Sequence, residues 1–293
     1  MKRIISYLIF LFVSSFTFAQ TDGIRKGINK IIKGKHATIG VAIYDTQTGN
    51  TLNINGDKHF PMQSVFKFPI ALNILTKVDK GKMSLNDSIF ITAKDLLPGT
   101  WSPIRDRYPE GNIKMPLSEI IRYTISQSDN NGCDILIHLL GGTSTVNSYI
   151  SSLGLTEMKI KKTEAEQHIT PSAQFYNWTT PTCAIQLLRL FHEKKILLSD
   201  SRDFLFKTMT ETSTGSVKTE IPQDVIVAHK TGSAFFPGSY VVNDIGVMQI
   251  PDNHTILYAI FIMKSKESKE NNYKIIADIA KVVYQQATSE ISK

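Results

Sequence analysis

Ser64 and Lys67 stand three residues apart in the run "QSVFKFPIALNIL", which is otherwise apolar and reads as helix. That spacing sets a hydroxyl and an amine on one helical face, one turn apart. An amine drawn into apolar surroundings loses proton affinity and can exchange a proton with a neighbouring hydroxyl, which prepares a nucleophile. Two more short patterns carry groups of the same kind: Ser128-Asp129-Asn130 between two helical segments, and Lys230-Thr231-Gly232 at the end of an apolar strand. Each pattern alone has an ordinary structural reading. The first is a serine at a helix start beside a snorkelling lysine, the second a helix cap or Asx turn, and the third a strand end. Each occurs once, in this order and in fitting secondary structure, and the conjunction points to chemistry.

The elements that must hold these groups follow from the periodicity. "ATIGVAIYDTQTGNTLNIN" reads as two strands around a turn at Thr48-Gly49-Asn50. A mostly helical stretch follows, including "PLSEIIRYTISQS", then "NGCDILIHLLGG" with paired glycines as a stop, and "TPTCAIQLLRLFHEKK" with Pro181 near its start. The last part reads strand, strand, strand, helix: "DVIVAHKTGS", "SYVVNDIGVMQI", "HTILYAIFIM" and "NYKIIADIAKVVYQQA". Strands at both chain ends predict an α+β fold, one antiparallel sheet with flanking helices packed on an all-helical lobe, with a cleft where the two meet. The boundaries are a leader over 1–19, a sheet unit formed by 20–62 with 211–293, and a helical unit over 63–210. Pro69 lies past the expected first turn of its helix and is predicted to distort it.

Of the 293 residues, 42% are hydrophobic, enough for a large core. Lys2 and Arg3 precede an apolar run that ends in "TFAQ", the pattern of a cleavable secretory leader cut after Ala19. No cysteine follows that point to carry a lipid, and no later apolar stretch has membrane-spanning length. The expected product is exported to the periplasm, without a membrane anchor after processing. The formal charge of +7 is spread among alternating lysines and glutamates such as Lys266, Glu267, Lys269 and Glu270, which does not suit nucleic acid. Cys133 and Cys183 are the only cysteines, each in a helical pattern, and read as two separate buried thiols with no zinc partners.

The three motifs together resemble those of serine β-lactamases and penicillin-binding proteins, and the Ser-Asp-Asn form with an acidic segment downstream resembles class A β-lactamases. The resemblance covers essentially the whole chain after the leader. It implies a β-lactam as the small-molecule substrate, a monomer, and no cofactor or metal. It implies Ser64 as nucleophile, with its backbone N–H at the helix start facing the developing oxyanion. Lys67 would exchange protons with it, and Ser128 would relay one to the departing nitrogen. Asn130 would meet the substrate's side-chain amide and Asp129 would hold the loop. Lys230 and Thr231 would take the substrate carboxylate, the Ser233 N–H would complete the oxyanion hole, and Gly232 would keep the strand bare for substrate to lie along.

In "KKTEAEQHITP" the resemblance makes Glu164 the deacylating base, with His168, four residues on, helping to hold its water, and leaves Glu166 to solvent. His168 departs from the asparagine usual in class A, and with Asp134 it resembles a subgroup of extended-spectrum cephalosporinases. Many class A enzymes add an arginine for the substrate carboxylate; here "TSTGSVKTE" offers only Lys218. Gln63 stands where carbapenem-hydrolysing relatives carry a cysteine. A D-alanyl-D-alanine carboxypeptidase shares the three motifs without the glutamate, and a non-catalytic penicillin sensor would acylate once and stop. Sustained turnover separates both from a β-lactamase.

Overall fold

The computed structural model describes residues 21–170, 172–251 and 254–289. The leader reading falls on residues outside that set. No helix among the described residues is long and apolar enough to cross a membrane.

The main sheet joins the two ends of the chain. Strands β1 (Thr38–Asp45) and β2 (Thr51–Ile54) form a hairpin. Three short ladders of the middle region, β3 (Phe60–Pro61) with β7 (Trp178–Thr179) and β6 (Met158–Lys159), and β4 (Ser88–Ile91) with β5 (Ile113–Pro116), lie apart from the main sheet. Strands β8 (Ile226–Phe236), β9 (Ser239–Ile250) and β10 (His254–Ser265) complete it in the order β2-β1-β10-β9-β8. All pairs are antiparallel, and β1 meets β10 with Ala42 opposite Ala259.

Strand alternation sorts the core into two layers. Ile39, Val41, Ile43, Tyr258, Ile260 and Ile262 pack against helix α1 (21–32) and helix α10 (Lys269–Thr288). The intervening Ala42, Leu257, Ala259 and Phe261 face the helical side. Both faces of β1 and β10 are therefore buried, which explains why these strands read as unbroken apolar runs.

The helical region is built from α2 (Lys67–Asp79), α3 (Pro103–Arg107), α4 (Leu117–Ser126), α5 (Asn130–Leu140), α6 (Thr143–Ser152), α7 (Glu164–Gln167), α8 (Pro181–His192) and α9 (Ser199–Thr210). Helix α5 ends at Gly141, whose φ of 86° is open to glycine at little cost. Helix α8 starts with Pro181 after Thr180, which caps it by accepting from Cys183 N at 3.1 Å. The two cysteines are free and buried, and burial pushes the Cys183 thiol up to about 11.

Pro69 does not distort its helix, contrary to the expectation from sequence. Gln63–Phe66 form a 3₁₀ turn and α2 begins only at Lys67, so Pro69 is the third helical residue. Its missing N–H is one that the first turn leaves unbonded in any case.

Helix α8 approaches β1 at Gly40, where a Cβ would stand 2.5 Å from the Phe60 ring and 2.8 Å from Pro181 Cγ. Gly40→Val therefore overpacks the seam between sheet and helices and should cost about 1–3 kcal/mol of unfolding free energy by denaturant titration. An unchanged midpoint would mean that Phe60 and Pro181 yield without strain.

Candidate active site

The backbone that presents Ser64 is pinned on three sides. Asn243, on β9, donates from Nδ2 to the carbonyls of Pro61 and Met62 at 2.8 and 3.0 Å. The Met62 N–H donates to Asn177 O at 2.9 Å. From β8, Gly232 approaches so closely that a Cβ there would lie 2.6 Å from Met62 O and 3.0 Å from Ser64 N. The bareness of Gly232 thus serves the fit of the strand against the backbone of Met62 and Ser64. Gln63 sits at φ 48° in the turn, and its amide bonds to the Gln174 side chain. A non-glycine residue in that region stores backbone strain that the three clamps must hold.

Lys67 gathers the three parts of the site around one fully buried ammonium. Its Nζ lies 2.9 Å from Ser64 Oγ, 2.8 Å from Glu164 Oε1, 2.8 Å from Ser128 O, 3.4 Å from Ser128 Oγ and 2.5 Å from Asn130 Oδ1. Three N–H bonds serve five oxygens, so the neighbours share donors and small shifts redistribute them. Glu164 Oε1 is also 3.5 Å from Ser64 Oγ.

Ser128 occupies a left-handed conformation, φ 59°, between α4 and α5. Its Oγ accepts from Lys230 Nζ at 2.9 Å, with Lys67 on the other side. Asp129 is buried and accepts from Gly132 N, Ile104 N and the Ser102 hydroxyl at 2.7–3.0 Å, so it caps α5 and ties it to α3. Burial holds its carboxyl above the usual range. Asn130 donates from Nδ2 to Thr100 Oγ1 at 2.6 Å, which leaves the second amide hydrogen for a ligand carbonyl.

The acidic segment is short and heavily tied. Asn177, fully buried, accepts from the N–H groups of Lys161 and Lys162 and donates to Lys162 O. Asp134, on α5, accepts from Glu164 N at 2.7 Å and Ala165 N at 2.8 Å. Burial, and then the neighbouring Glu164 charge, pushes Asp134 up to about 6. Glu164 is buried, while Glu166 keeps 42% of its side chain exposed to solvent, as expected. It closes a capping box with Thr163, donor to acceptor at 2.9 Å, and pairs with Lys162 at 3.4 Å.

His168 donates from Nδ1–H to Glu164 O at 2.7 Å and its Nε2 faces Thr100 Oγ1 at 3.5 Å, so the ring braces the acidic segment against the 100s loop. Lys218, the residue the sequence offers for the substrate carboxylate, donates to Thr210 O at 2.8 Å and Thr212 O at 3.3 Å at the end of α9; burial lowers its proton affinity and the charge of Asp244, in the cavity wall, raises it.

Lys230 is fully buried, and burial followed by the Lys67 charge pulls it well below the usual lysine range. The cavity in front of these groups, about 370 Å³, is lined by Ser64, Ser128, Asn130, Thr231, Gly232 and Ser233. It continues to residues that no sequence motif marks: Trp101, Thr214, Asp244, Lys269 and Tyr273. Trp101 is 58% exposed at the mouth, held by donation to Gln127 O at 2.8 Å. The clearest available signal was the unusual exposed tryptophan beside "PGTWSP".

Comparison with known proteins agrees with this geometry. A sequence model of the β-lactamase enzyme family matches residues 23–287. The β-lactamase VEB-1 of Pseudomonas aeruginosa is 44% identical, over 97% of each chain. The extended-spectrum β-lactamase PER-1 of the same organism is 36% identical, over 98% of this chain and 95% of its own. Among solved structures, the TLA-1 extended-spectrum β-lactamase superposes with a TM-score of 0.88 at 43% identity, covering 91% of this chain and 98% of its own.

Asp134 gives a pH test of the acidic segment's anchorage. Its carboxyl is raised from 3.8 to about 6 in the fold, so the folded state holds a proton that the unfolded chain has lost between those values. This part of stability is full below about pH 4 and is lost as pH rises through 6. The melting temperature of Asp134→Asn relative to wild type should therefore shift in the variant's favour from pH 4 to pH 7. A constant difference across that window would show that Asp134 does not titrate there.

Proposed function

The chain belongs to the β-lactamase enzyme family and is a serine β-lactamase, and on that premise we propose the part each side chain takes in opening a β-lactam through an acyl-enzyme. One observation carries the reading: the Lys67 ammonium lies within hydrogen-bond reach of the Ser64 hydroxyl, the Ser128 hydroxyl and the Glu164 carboxylate. Proton transfer needs donor and acceptor at that distance before any question of acidity arises.

Ser64 Oγ attacks the lactam carbonyl while its proton passes to Glu164, or to Lys67 once that ammonium has given a proton up to Glu164. The developing oxyanion is met by the backbone N–H groups of Ser64 and Ser233, where loss of one donor costs on the order of 10²–10³ in rate. The departing ring nitrogen receives the Ser128 hydroxyl proton, which Lys67 replaces, so that the proton taken from Ser64 ends on the nitrogen and Glu164 is again a carboxylate. Asn130 meets the substrate's amide side chain, and Lys230 and Thr231 meet its carboxylate. Glu164 then draws a proton from the water that attacks the acyl carbon, and that proton passes to Ser64 Oγ, directly or through Lys67, as the ester C–O bond breaks, which returns free Ser64, the Glu164 carboxylate and the ring-opened acid.

Preference for cephalosporins over carbapenems is part of the proposal. It rests on Gln63 before the nucleophile, on Asp134, and on the extended-spectrum names of PER-1 and TLA-1. Export to the periplasm as a monomer completes it, from the leader pattern and the family.

Ser64→Ala should fold and yield no drug adduct by intact-mass spectrometry. Glu164→Gln should accumulate acyl-enzyme under excess cephalosporin, with kcat lower by about 10²–10⁴. Trapping by Glu166→Gln with normal turnover of Glu164→Gln would reverse the assignment. Wild type should turn over a chromogenic cephalosporin far beyond one equivalent; a single burst would favour the sensor. For substrate class, kcat/KM should be higher for cephalothin than for imipenem, and comparable values would remove the cephalosporin preference.

A further inference from the structure

The catalytic cavity does not end at Thr231. It passes over the edge of β8 to Val242 and Asp244 on β9, and to Lys269, Tyr273 and Ile276 on α10. The charge arrangement there is unusual for a place that receives an anion. Asp244 is the cross-strand partner of Thr231, is almost wholly buried, and is held by His229 at 3.0 Å and the Tyr258 hydroxyl at 3.1 Å. An acidic group thus stands behind the hydroxyl assigned to the substrate carboxylate. Lys230 is the nearer cation, yet it is fully buried and donates to Ser128 Oγ and Thr231 O. Lys218 spends its hydrogen bonds on the carbonyls of Thr210 and Thr212.

Among the described residues, Lys269 is the only lysine or arginine that lines the cavity. Its residue is exposed, and among the described residues its ammonium makes no ion pair within 4.0 Å. It lies instead 5.7 Å from the ring centre of Tyr273, one turn along α10 and also in the cavity wall. The stem is thereby steered toward the cavity while the charge stays available to a ligand. Its position as first residue of α10, after the Ser268 cap, adds the positive end of a 20-residue helix to the same spot.

We propose that Lys269 is the second cation of the substrate-carboxylate subsite, the part that sequence reading gave to Lys218, and that it offsets Asp244 for incoming anionic substrates. The inference rests on the assignment of Lys230 and Thr231 to that carboxylate. An exposed charge acts mainly on capture, so its effect belongs in KM and fades with salt.

The test compares cephalothin with its carboxylate methyl ester, at low and high salt, on the wild-type enzyme and on Lys269→Met, Lys269→Arg and Lys218→Met. Lys269→Met should raise KM for the acid about three- to tenfold with kcat within about twofold, and should flatten the salt dependence of kcat/KM. KM for the ester should not move, and Lys269→Arg should restore the acid. An unaltered KM for the acid overturns the proposal, as does an equal loss on the ester, which would reduce Lys269 to packing. A rise in KM in Lys218→Met without one in Lys269→Met returns the part to Lys218. Wild-type enzyme that treats acid and ester alike overturns the Lys230 and Thr231 assignment beneath it, whereas discrimination by wild type with a silent Lys269→Met overturns Lys269 alone.

Discussion

A lysine ammonium with no access to water must be surrounded by oxygen, and the catalytic half of this protein is arranged around that need at Lys67. An unpaired buried charge costs several kcal/mol, and removing one partner of a buried pair is far more damaging than never having had the pair. The oxygens come from three separated stretches: the turn before α2, the loop between α4 and α5, and the acidic segment. Each stretch is held by its own buried polar anchor, Asn243 for the first, Asp129 for the second, Asn177 and Asp134 for the third. The anchors explain how groups in strained or short elements can be kept in place to within hydrogen-bond tolerance. Ser128 and Gln63 both sit at positive φ, and α7 has only four residues, too few to be stable alone.

The same arrangement separates catalysis from recognition. Lys67 and Glu164 are enclosed among α2, α5 and the acidic segment, while Ser64, Ser128 and Asn130 open onto a cavity whose other walls are supplied by β8, β9, α10 and the 100s loop. Lys230 belongs to both, because its ammonium touches Ser128 Oγ and the Thr231 carbonyl. Two buried lysines that share one serine hydroxyl repel each other, and that repulsion, added to burial, lowers the proton affinity of Lys230.

Legibility in the sequence followed the range over which each feature is determined. The motif residues Ser64, Lys67, Ser128, Asn130, Lys230 and Thr231 were readable because their spacing and flanking periodicity are local. So were the strands β8 to β10 and the helices α4, α5, α8 and α10, which carry long regular patterns. Two-residue ladders such as β3 with β7 have no period to detect. The helix start at Lys67 depended on a preceding 3₁₀ turn held by Asn243, far along the chain, so Pro69 looked like a defect. The hydrogen bonds that direct Lys218 and His168 were not legible, because each is set by a backbone carbonyl, of Thr210 and of Glu164, that no motif marks. Lys269 sat in a run of alternating charges and looked like any solvated lysine.

The pairing of β1 with β10 has a consequence for the order in which the molecule comes into being. Thr38 meets Met263, so the second strand partner of the N-terminal strand is among the last segments to be synthesised. Until then β1 has only its hairpin partner, and β8, which brings Lys230 and Gly232 against Ser64, is also missing. Contacts so distant in sequence make folding slow. A chain still emerging therefore has its nucleophile motif early but lacks the strand that seats it. The half-made protein is chemically silent, and a truncated product that ends before β8 would be inert even though the residues from Ser64 to Glu164 are all present.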